Sequence, residues 1–455
     1  MNTLIKILAT ALVSIFASFH VTAQSWINVG GACFSAGPAI TPSIAISSGG
    51  DPYALYRDDS FSQTANAQVF TGGTWNYIGG LAFSDCVILS PSLAITSSGM
   101  PIAAYFNIPP PHPFGPMVRK FDGSGDWTII DTIGPVTIAN FVSLAVGHDD
   151  SIFVAYRDDS VGVPWPASVR KFDGANWLFV GPRRFTPGGA SFTSLAIDPA
   201  GTPYLAYEDH ANGRKASVMK FTGGAWVNVG VAGFSPGVAE YTSLAIDISG
   251  TPYVAFVDSA NGAKVTVMKY DGTAWVTVGG PGVSAGAALT GRQYLSIDAT
   301  GQPYVVYADG TNGNKAILKK FNGTTWVTIG VPGFSAGAVR DATLVLNAVG
   351  VPYVAFADAT DNYRLRMMKF DIATGTQNTT TMENLLSIFP NPATNEIVIN
   401  APYTINSLSL TDVLGRQAFS RSYNAQQIRV DIAGIPSGLY FVNVNNGIRV
   451  RLVKE

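Results

Sequence analysis

The stretch "KFTGGAWVNVG" (Lys220–Gly230) decides the fold, because close variants of it return along the whole chain. They read KYDGTAWVTVG, KFNGTTWVTIG, KFDGANWLFVG and VFTGGTWNYIG. The tryptophan of this phrase falls at positions 26, 75, 127, 177, 226, 275 and 326. A second phrase, SLAIDISGTPYVAFVD in one copy, recurs seven times and ends on Asp in every copy except the one with Asn107. Seven copies at a common period of about 50 residues indicate a repeat architecture.

Each copy contains four strand-like pieces, which we call a, b, c and d. In the fifth copy they read SLAID, PYVAFVD, VTVMKYDG and WVTVG, and the turns between them contain Gly, Asp or Asn. These residues adopt the backbone conformations that tight hairpins require. A four-stranded meander repeated at this period predicts one blade of a β-propeller per copy.

The two ends of the array predict how it closes. The first phrase is an isolated strand d, SWINVG (Ser25–Gly30), whereas the last copy stops at strand c, RMMKFD, with no tryptophan strand after it. Paired together, they complete one blade and leave no free sheet edge. The sequence therefore predicts an all-β fold: a seven-bladed β-propeller over residues 24–373, with its N-terminal strand closing the last blade.

Residues 1–23 have the pattern of a secretory signal peptide. Lys6 provides the positive charge, an apolar run follows over Ile7–Phe19, and small residues precede a predicted cleavage after Ala23. No apolar stretch is long enough for a transmembrane segment. The net charge of −2, with 13% charged residues, argues against a nucleic-acid partner, which would call for a basic stripe. We expect Sec-dependent export to the periplasm.

The composition changes after the last blade. Residues 374–384 predict a polar linker, and the short alternating strands of residues 385–455 predict a small C-terminal β-sandwich. Four motifs occur there in order: FPNPA (Phe389–Ala393), DVLGR (Asp412–Arg416), IPSGLYFV (Ile435–Val442) and a basic last strand with Lys454. Through these motifs the region resembles the C-terminal sorting domain of the type IX secretion system of Bacteroidetes.

That resemblance implies a route and two partners. The protein would cross the outer membrane through the type IX secretion machinery and be released into the medium or retained at the cell surface. The system's sortase-like peptidase would remove the domain, often with attachment to surface lipopolysaccharide. The resemblance implies nothing about what the propeller does.

The loops between strands b and c offer the candidate ligand site, because three consecutive copies depart from the repeat there. Loops that vary on a rigid scaffold commonly carry function. Aromatic rings would provide flat faces for sugars or partner side chains, and charged groups would provide strong hydrogen bonds. The candidate residues, together with two arginines of the following d–a connection, are Arg57, Asp59, Phe61, His112, Phe114, Arg157, Asp159, Trp165, Arg183 and Arg184. Drift in exposed loops is the alternative explanation.

The row of acidic residues at the end of strand b is predicted to be structural. Each carboxylate would cap its b–c hairpin, and the repeated tryptophans and Pro-Tyr pairs would pack between blades. The row consists of Asp58, Asp158, Asp209, Asp258, Asp309 and Asp358.

Catalytic signatures are weak. Adjacent carboxylates such as Asp58 and Asp59 point to opposite faces of a strand and make a poor glycosidase pair. A sialidase would need three converging arginines, for which Arg57, Arg157 and Arg184 are the candidates. No spacing of histidines suggests a zinc site. The sequence predicts no cofactor, no metal and no enzymatic activity, and the first hypothesis is an exported protein that binds a glycan or protein ligand. A polysaccharide-degrading enzyme and a structural adhesin without a pocket remain the alternatives.

Cys33 and Cys86 are the two cysteines of the chain, and both fall in d–a connections beside the first blade. Because export passes an oxidising compartment, a disulfide between them is one prediction. Two unrelated buried thiols are the other.

Overall fold

The computed structural model describes residues 25–108, 115–132, 141–291, 293–371, 387–412, 416–445 and 448–455. They belong to two compact units, one spanning Gln24–Ile372 and one that contains the C-terminal strands. Outside the described residues lie the predicted signal peptide with Ala23, the predicted linker 374–384, and the candidates His112 and Phe114. Among the described residues, no helix has the length and apolar character needed to cross a membrane.

The described residues of the first unit form seven antiparallel sheets, which we number along the chain. Strand β1 (Ser25–Asn28) precedes them. Sheet 1 consists of β2 (Ala39–Ile46), β3 (Pro52–Asp58), β4 (Thr64–Thr71) and β5 (Thr74–Tyr77). Sheet 2 consists of β6 (Val87–Ile95), β7 (Pro101–Ile108), β8 (Gly115–Phe121) and β9 (Trp127–Thr132). Sheet 3 consists of β10 (Ser143–Val146), β11 (Ile152–Arg157), β12 (Ala167–Phe172) and β13 (Trp177–Phe179).

The later sheets repeat the same order of strands a, b, c and d. Sheet 4 consists of β14 (Ala190–Ile197), β15 (Pro203–Asp209), β16 (Lys215–Thr222) and β17 (Ala225–Asn228). Sheet 5 consists of β18 (Ala239–Ile246), β19 (Pro252–Asp258), β20 (Lys264–Tyr270) and β21 (Trp275–Thr277). In sheet 6, strand a is divided into β22 (Ala288–Leu289) and β23 (Leu295–Ile297). Strands b, c and d of this sheet are β24 (Pro303–Asp309), β25 (Lys315–Phe321) and β26 (Trp326–Thr328). Sheet 7 contains β27 (Val339–Leu346), β28 (Pro352–Asp358) and β29 (Arg364–Asp371).

The N-terminal strand completes sheet 7. Strand β1 pairs antiparallel with β29, and Trp26 lies opposite Phe370. The first and last segments of the repeat region thus share one sheet, which is the pairing that the sequence predicts.

The repeated tryptophans join neighbouring sheets in a closed series. Each indole N–H donates to a backbone carbonyl at the outer strand of the preceding sheet, as Trp75 does to Val29 at 2.8 Å and Trp26 does to Ile329 at 3.1 Å. The same bond occurs at all seven repeated tryptophans. Several indoles also stack on a loop phenylalanine, with the rings of Trp275 and Phe234 4.2 Å apart. A stacked aromatic pair contributes about 0.5–1.5 kcal/mol beyond its buried area.

The acidic row caps the b–c hairpins, so this prediction is confirmed. Asp209 is fully buried, and its carboxylate accepts from the backbone N–H of Ala211 at 3.0 Å. Its other oxygen accepts from Asn212 and Ser217. Short 3₁₀ turns follow the aspartate in five sheets: Asp59–Phe61, His210–Asn212, Ser259–Asn261, Gly310–Asn312 and Ala359–Asp361. The buried charge is stable there because hydrogen bonds replace its lost hydration.

The C-terminal unit is a five-stranded antiparallel sheet around its own apolar core. Its strands are β30 (Ser387–Phe389), β31 (Glu396–Asp412), β32 (Gln417–Asp431), β33 (Gly438–Val444) and β34 (Ile448–Lys454). The long β31 pairs with β30, β32 and β33 along different parts of its length. The strands of this unit form one hydrogen-bonded sheet. The two-layered β-sandwich therefore stays a prediction.

Candidate functional site

The a strands of five sheets line a cavity in the first unit. Its lining includes Gln293, which lies between the two strand a segments of sheet 6, and Ser43, Ser92, Ser143 and Ser194 of the a strands. Their hydroxyls connect neighbouring sheets, since Ser92 accepts from the N–H of Leu144 at 3.0 Å, and the same bond recurs in other sheets. This cavity marks the axis of the first unit.

A ring of bulges lies at one end of this axis. In strand a of five sheets the pairing with strand b shifts register, and a residue at the shift has a left-handed backbone. Six described residues occupy equivalent positions of the repeat with φ between 49° and 69°: Thr41, Ser90, Phe141, Phe192, Tyr241 and Asp341. We call these six residues the axial ring. Left-handed conformations cost energy for non-glycine residues and occur preferentially at functional sites.

Three consecutive members of the axial ring are aromatic. The ring centroids of Phe141 and Phe192 are 4.8 Å apart, and those of Phe192 and Tyr241 are 4.6 Å apart. The backbone carbonyl of Phe192 accepts from the hydroxyl of Thr242 in the next sheet, which fixes the two bulges together. Tyr241 is exposed, with 39% of its surface accessible. Sheets 3, 4 and 5 therefore present a continuous aromatic surface at the axis.

The remaining members are polar. The side chain of Asp341 accepts from the N–H of Thr41 at 3.0 Å, and Ser90 accepts from the N–H of Phe141 at 3.2 Å. The axial ring is thus aromatic on one side and hydrogen-bonding on the other. Such a surface suits a sugar ring, whose apolar C–H face and hydroxyl groups need the two kinds of contact.

Two of the sequence-predicted candidates extend the aromatic surface. The guanidinium of Arg157 lies 5.3 Å from the ring centroid of Phe141 and 5.0 Å from that of Trp165. These separations are typical of cation–π contacts. Burial lowers the pKa of Arg157, with Asp159 opposing the shift.

Arg183 and Arg184 fix the loop that carries Trp165. Arg183 donates to both carboxylate oxygens of Asp158, at 2.7 and 3.1 Å. Arg184 donates to the backbone carbonyls of Asp158 and Gly162. Burial raises the pKa of Asp158, but the bonds from Arg183 and two serines outweigh burial, so the net shift is downward. Both arginines therefore stabilise the loop that carries Trp165.

The candidates of sheet 1 stay apart from this group. Arg57 forms an ion pair at 3.8 Å with Asp59, beside which Phe61 completes the 3₁₀ turn. Since Arg184 bonds to its own loop and Arg157 lies between aromatic rings, the three arginines of the sialidase alternative have separate environments.

A charged cluster beside the axial ring was missed by the sequence analysis. Glu208 is 1% exposed and receives two hydrogen bonds from Arg214, at 2.9 and 3.2 Å. The Nη2 atom of Arg214 also lies 3.5 Å from a carboxylate oxygen of Glu240. Glu240 precedes Tyr241 of the ring, and Glu208 pairs across strands with Ser191, which precedes Phe192. Two carboxylates thus share one guanidinium nitrogen next to the aromatic surface.

His210 adjoins this cluster but does not complete a nucleophilic triad. Its Nε2 atom lies 3.0 Å from the hydroxyl of Ser191 and 3.2 Å from Glu208. A triad needs the serine and the carboxylate on different ring nitrogens. One nitrogen contacts both here, so proton relay through the imidazole is excluded in this geometry.

A comparison of the repeats could have identified the missed residues. At the ring position the copies read Thr41, Ser90, Phe141, Phe192, Tyr241, Arg292 and Asp341. At the position before the capping aspartate, Glu208 is the single acidic residue among seven copies. The sequence predicts its candidates in the loops of the repeat, whereas the departures at Phe192, Tyr241 and Glu208 fall within strands.

The two cysteines are free thiols in the structure, so the predicted disulfide is corrected. Cys86 is buried and contacts the side-chain oxygen of Asn107 instead. Burial raises the pKa of its thiol to about 11. Within the described residues, no group of three or more His, Cys, Asp or Glu side chains is placed to hold a metal ion.

Residues 387–454 match the sequence profile of a family described as "Secretion system C-terminal sorting domain". This match confirms the resemblance to the type IX sorting domain, and with it export to the cell surface or the medium through that secretion machinery. No curated protein matches the chain.

Solved structures resemble the chain in fold. A polysaccharide lyase of family PL25, an ulvan lyase, has a TM-score of 0.47 at 13% identity, over 74% of this chain and 94% of that one. An α-L-arabinanase of Penicillium chrysogenum has a TM-score of 0.45 at 13% identity, over 77% and 98%. PorZ, a surface component of the type IX secretion system of Porphyromonas gingivalis, has a TM-score of 0.44 at 13% identity, over 93% and 61%.

These neighbours contradict the expectation that the protein is not an enzyme. Polysaccharide lyases and arabinan-cleaving hydrolases are among them, so that expectation is withdrawn. It rested on missing motifs, and catalytic residues are recognised by their geometry and roles, not by their positions in the sequence. At this similarity the neighbours specify neither substrate nor catalytic residues, which have to be argued from the side chains of this chain.

Proposed function

We propose that the protein is an exported, carbohydrate-active seven-bladed β-propeller, with each of the seven sheets as one blade and a small β-sandwich as its removable sorting domain. Its substrate is a polysaccharide that binds across the axial ring. The observation that carries this proposal is the division of that ring into an aromatic side, Phe141, Phe192 and Tyr241, and a hydrogen-bonding side.

Cleavage of the bound chain is assigned to the carboxylate of Glu240, which is half-exposed and directly precedes Tyr241 of the axial ring. Glu240 would act as the general acid or base of the cleavage step. The buried Glu208 has both oxygens bonded to Arg214 and is therefore a positioning residue, which holds Arg214 beside Glu240.

The test uses the full chain and a panel of soluble polysaccharides, with reducing-sugar release as the measure of hydrolysis. Ultraviolet absorbance of an unsaturated product separates a lyase from a hydrolase. We expect Glu240→Gln to lower kcat by about 100-fold or more, the usual contribution of a general acid or base. Glu396→Gln is the matched control, because Glu396 also pairs with an arginine, Arg429, but lies in the C-terminal unit.

Binding is measured separately with the same panel. Phe192→Leu keeps the apolar volume but removes the flat ring, and we expect about tenfold weaker binding, equivalent to about 1.4 kcal/mol. A polysaccharide that binds without turnover would leave the glycan-binding function and remove the catalytic assignment of Glu240. Full turnover in Glu240→Gln would also remove that assignment, and binding unchanged by Phe192→Leu would remove the axial ring as the binding site.

A further inference from the structure

A set of crevices, separate from the cavity at the axis, lies near the start of strand b, whereas the axial ring lies near its end. Strand b of sheet 5 begins at Pro252 in a crevice and ends six residues later at Asp258, a distance of roughly 20 Å. The crevice, of about 430 Å³, lies between sheets 4 and 5. Sheet 4 contributes Tyr204 and Lys220, and sheet 5 contributes its a–b turn and Asp271.

Equivalent crevices recur around the unit. Between sheets 7 and 1, a crevice of about 400 Å³ is lined by Tyr353, Lys369 and the a–b turn at Asp51. Between sheets 3 and 4, a crevice of about 230 Å³ is lined by Phe153 and Lys171. In each, the aromatic residue and the lysine are direct cross-strand partners on strands b and c. The repeat thus builds the same polar crevice several times.

Three lysines of this series keep their ammonium groups available, and Lys269, on the sheet 5 side of the first crevice, is one of them. Lys220, Lys269 and Lys369 form no ion pair within 4.0 Å in the part of the chain that the structure describes. Two lysines at equivalent positions do, since the ammonium of Lys171 lies 3.6 Å from Asp149 and that of Lys320 lies 3.0 Å from Asp298. These two charges are neutralised from within, and the closer pair, at Lys320, provides a natural control.

The chemistry of an open crevice matches a single pyranose ring. Lysine ammonium donates hydrogen bonds, and Asp271 accepts them. The turn hydroxyls of Ser249 and Thr251 also accept, because their own protons are donated to Asp247 and to Ser249. Vicinal sugar hydroxyls can satisfy a donor and an acceptor together. Pro252 and the edge of Tyr204 provide the apolar contacts.

We infer that these crevices are repeated saccharide-binding sites, distinct from the axial ring and present in several copies per chain. Each site binds one sugar unit weakly, and a polysaccharide that engages several copies is retained through its effective concentration. The protein would hold its polysaccharide on one end while the axial ring acts at the other.

The experiment is affinity electrophoresis of the full chain in gels that contain mannan, xyloglucan or alginate, compared with a gel without polysaccharide. The background carries Phe192→Ala and Tyr241→Ala, so that binding at the axial ring does not contribute. In that background, we expect the triple variant Lys220→Gln, Lys269→Gln, Lys369→Gln to lose about tenfold or more in apparent affinity, because multivalent retention falls steeply with each lost site. Lys320→Gln should stay within about twofold of the background.

Retardation in the axial background supports the crevices even if the proposed axial function fails. Three results overturn the inference: no retardation by any of the three polysaccharides, unchanged retardation in the triple variant, or an equal loss in Lys320→Gln. Tryptophan fluorescence of each variant confirms that the fold is intact before its retardation is compared.

Discussion

The five residues YRDDS occur at Tyr56–Ser60 in sheet 1 and at Tyr156–Ser160 in sheet 3, and the two copies have different chemistry. In sheet 1, burial raises the pKa of Asp58, whose Oδ2 atom has no hydrogen-bond partner among the described residues. In sheet 3, Arg183 and two serines hold the pKa of Asp158 below its ordinary value, although burial acts against them. Identical local sequence therefore does not fix the direction in which the pKa of the carboxyl group is shifted.

The difference originates in the following d–a connection. Where sheet 3 is followed by Arg183 and Arg184, the same positions after sheet 1 hold Leu81 and Ala82. The second position has a left-handed backbone in both loops, so the chain path is shared and only the side chains differ. A departure about 25 residues away from the repeated motif thus decides whether its buried charge is paired.

The arginines of the two copies differ in the same way. Arg57 forms an ion pair of 3.8 Å with Asp59 of its own turn, whereas Arg157 lies between Phe141 and Trp165. A partly exposed ion pair of this length contributes little to stability, and a desolvated cation–π contact contributes more. The sequence motif supplied the same guanidinium group twice, and only in sheet 3 do the surroundings place it between aromatic rings.

The largest expected effect comes from exchanging the loop residues. Arg183→Leu leaves the buried charge of Asp158 without its partner, and we expect a loss of about 3 kcal/mol in the free energy of unfolding. The mirror variant, Leu81→Arg, offers Asp58 a partner and should cause no such loss. Urea unfolding followed by tryptophan fluorescence measures both, since all eight tryptophans lie in the first unit. Equal losses in the two variants would contradict the comparison.

The pH dependence of stability should have opposite signs at the two aspartates. Because the folded pKa of Asp158 is lowered, its contribution is present above the ordinary value of 3.8 and is lost as pH falls through the folded value. Because the folded pKa of Asp58 is raised, its contribution is present below 3.8 and is lost as pH rises through the folded value. Unfolding of Asp158→Asn and Asp58→Asn across this range should remove each dependence separately.

The smallest expected effect concerns the two arginines. Arg157→Lys removes the planar stack between aromatic rings, and we expect a loss of about 1 kcal/mol in the free energy of unfolding. Arg57→Lys retains a charge opposite Asp59 and should change it by less than about 0.5 kcal/mol. Chemical unfolding of the two variants measures both changes in the free energy of unfolding. Similar losses in the two variants would mean that the contact of Arg157 with Phe141 and Trp165 contributes little to stability.

Much of the scaffold could be predicted from sequence because most of its rules are local to one repeat. The period of the tryptophans located the strands, and Gly and Asp located the turns. The incomplete ends predicted that the N-terminal strand pairs with the last strand c, as β1 and β29 do. The candidate site was predicted less well. Arg157 and Trp165 do come together, but Arg183 and Arg184 serve the loop, and the sequence analysis overlooked Phe192 and Glu208.

The sequence by itself determined seven repeats, four strands in each, and a buried capping aspartate at the end of strand b, since these depend on residues within one copy. Only the tertiary structure decided that Phe141, Phe192 and Tyr241 form one surface. These residues are about 50 positions apart in the chain and become neighbours because the a strands surround a common axis. The same arrangement places Glu240 of sheet 5 beside Arg214 and Glu208 of sheet 4, a contact that no spacing within a single repeat encodes.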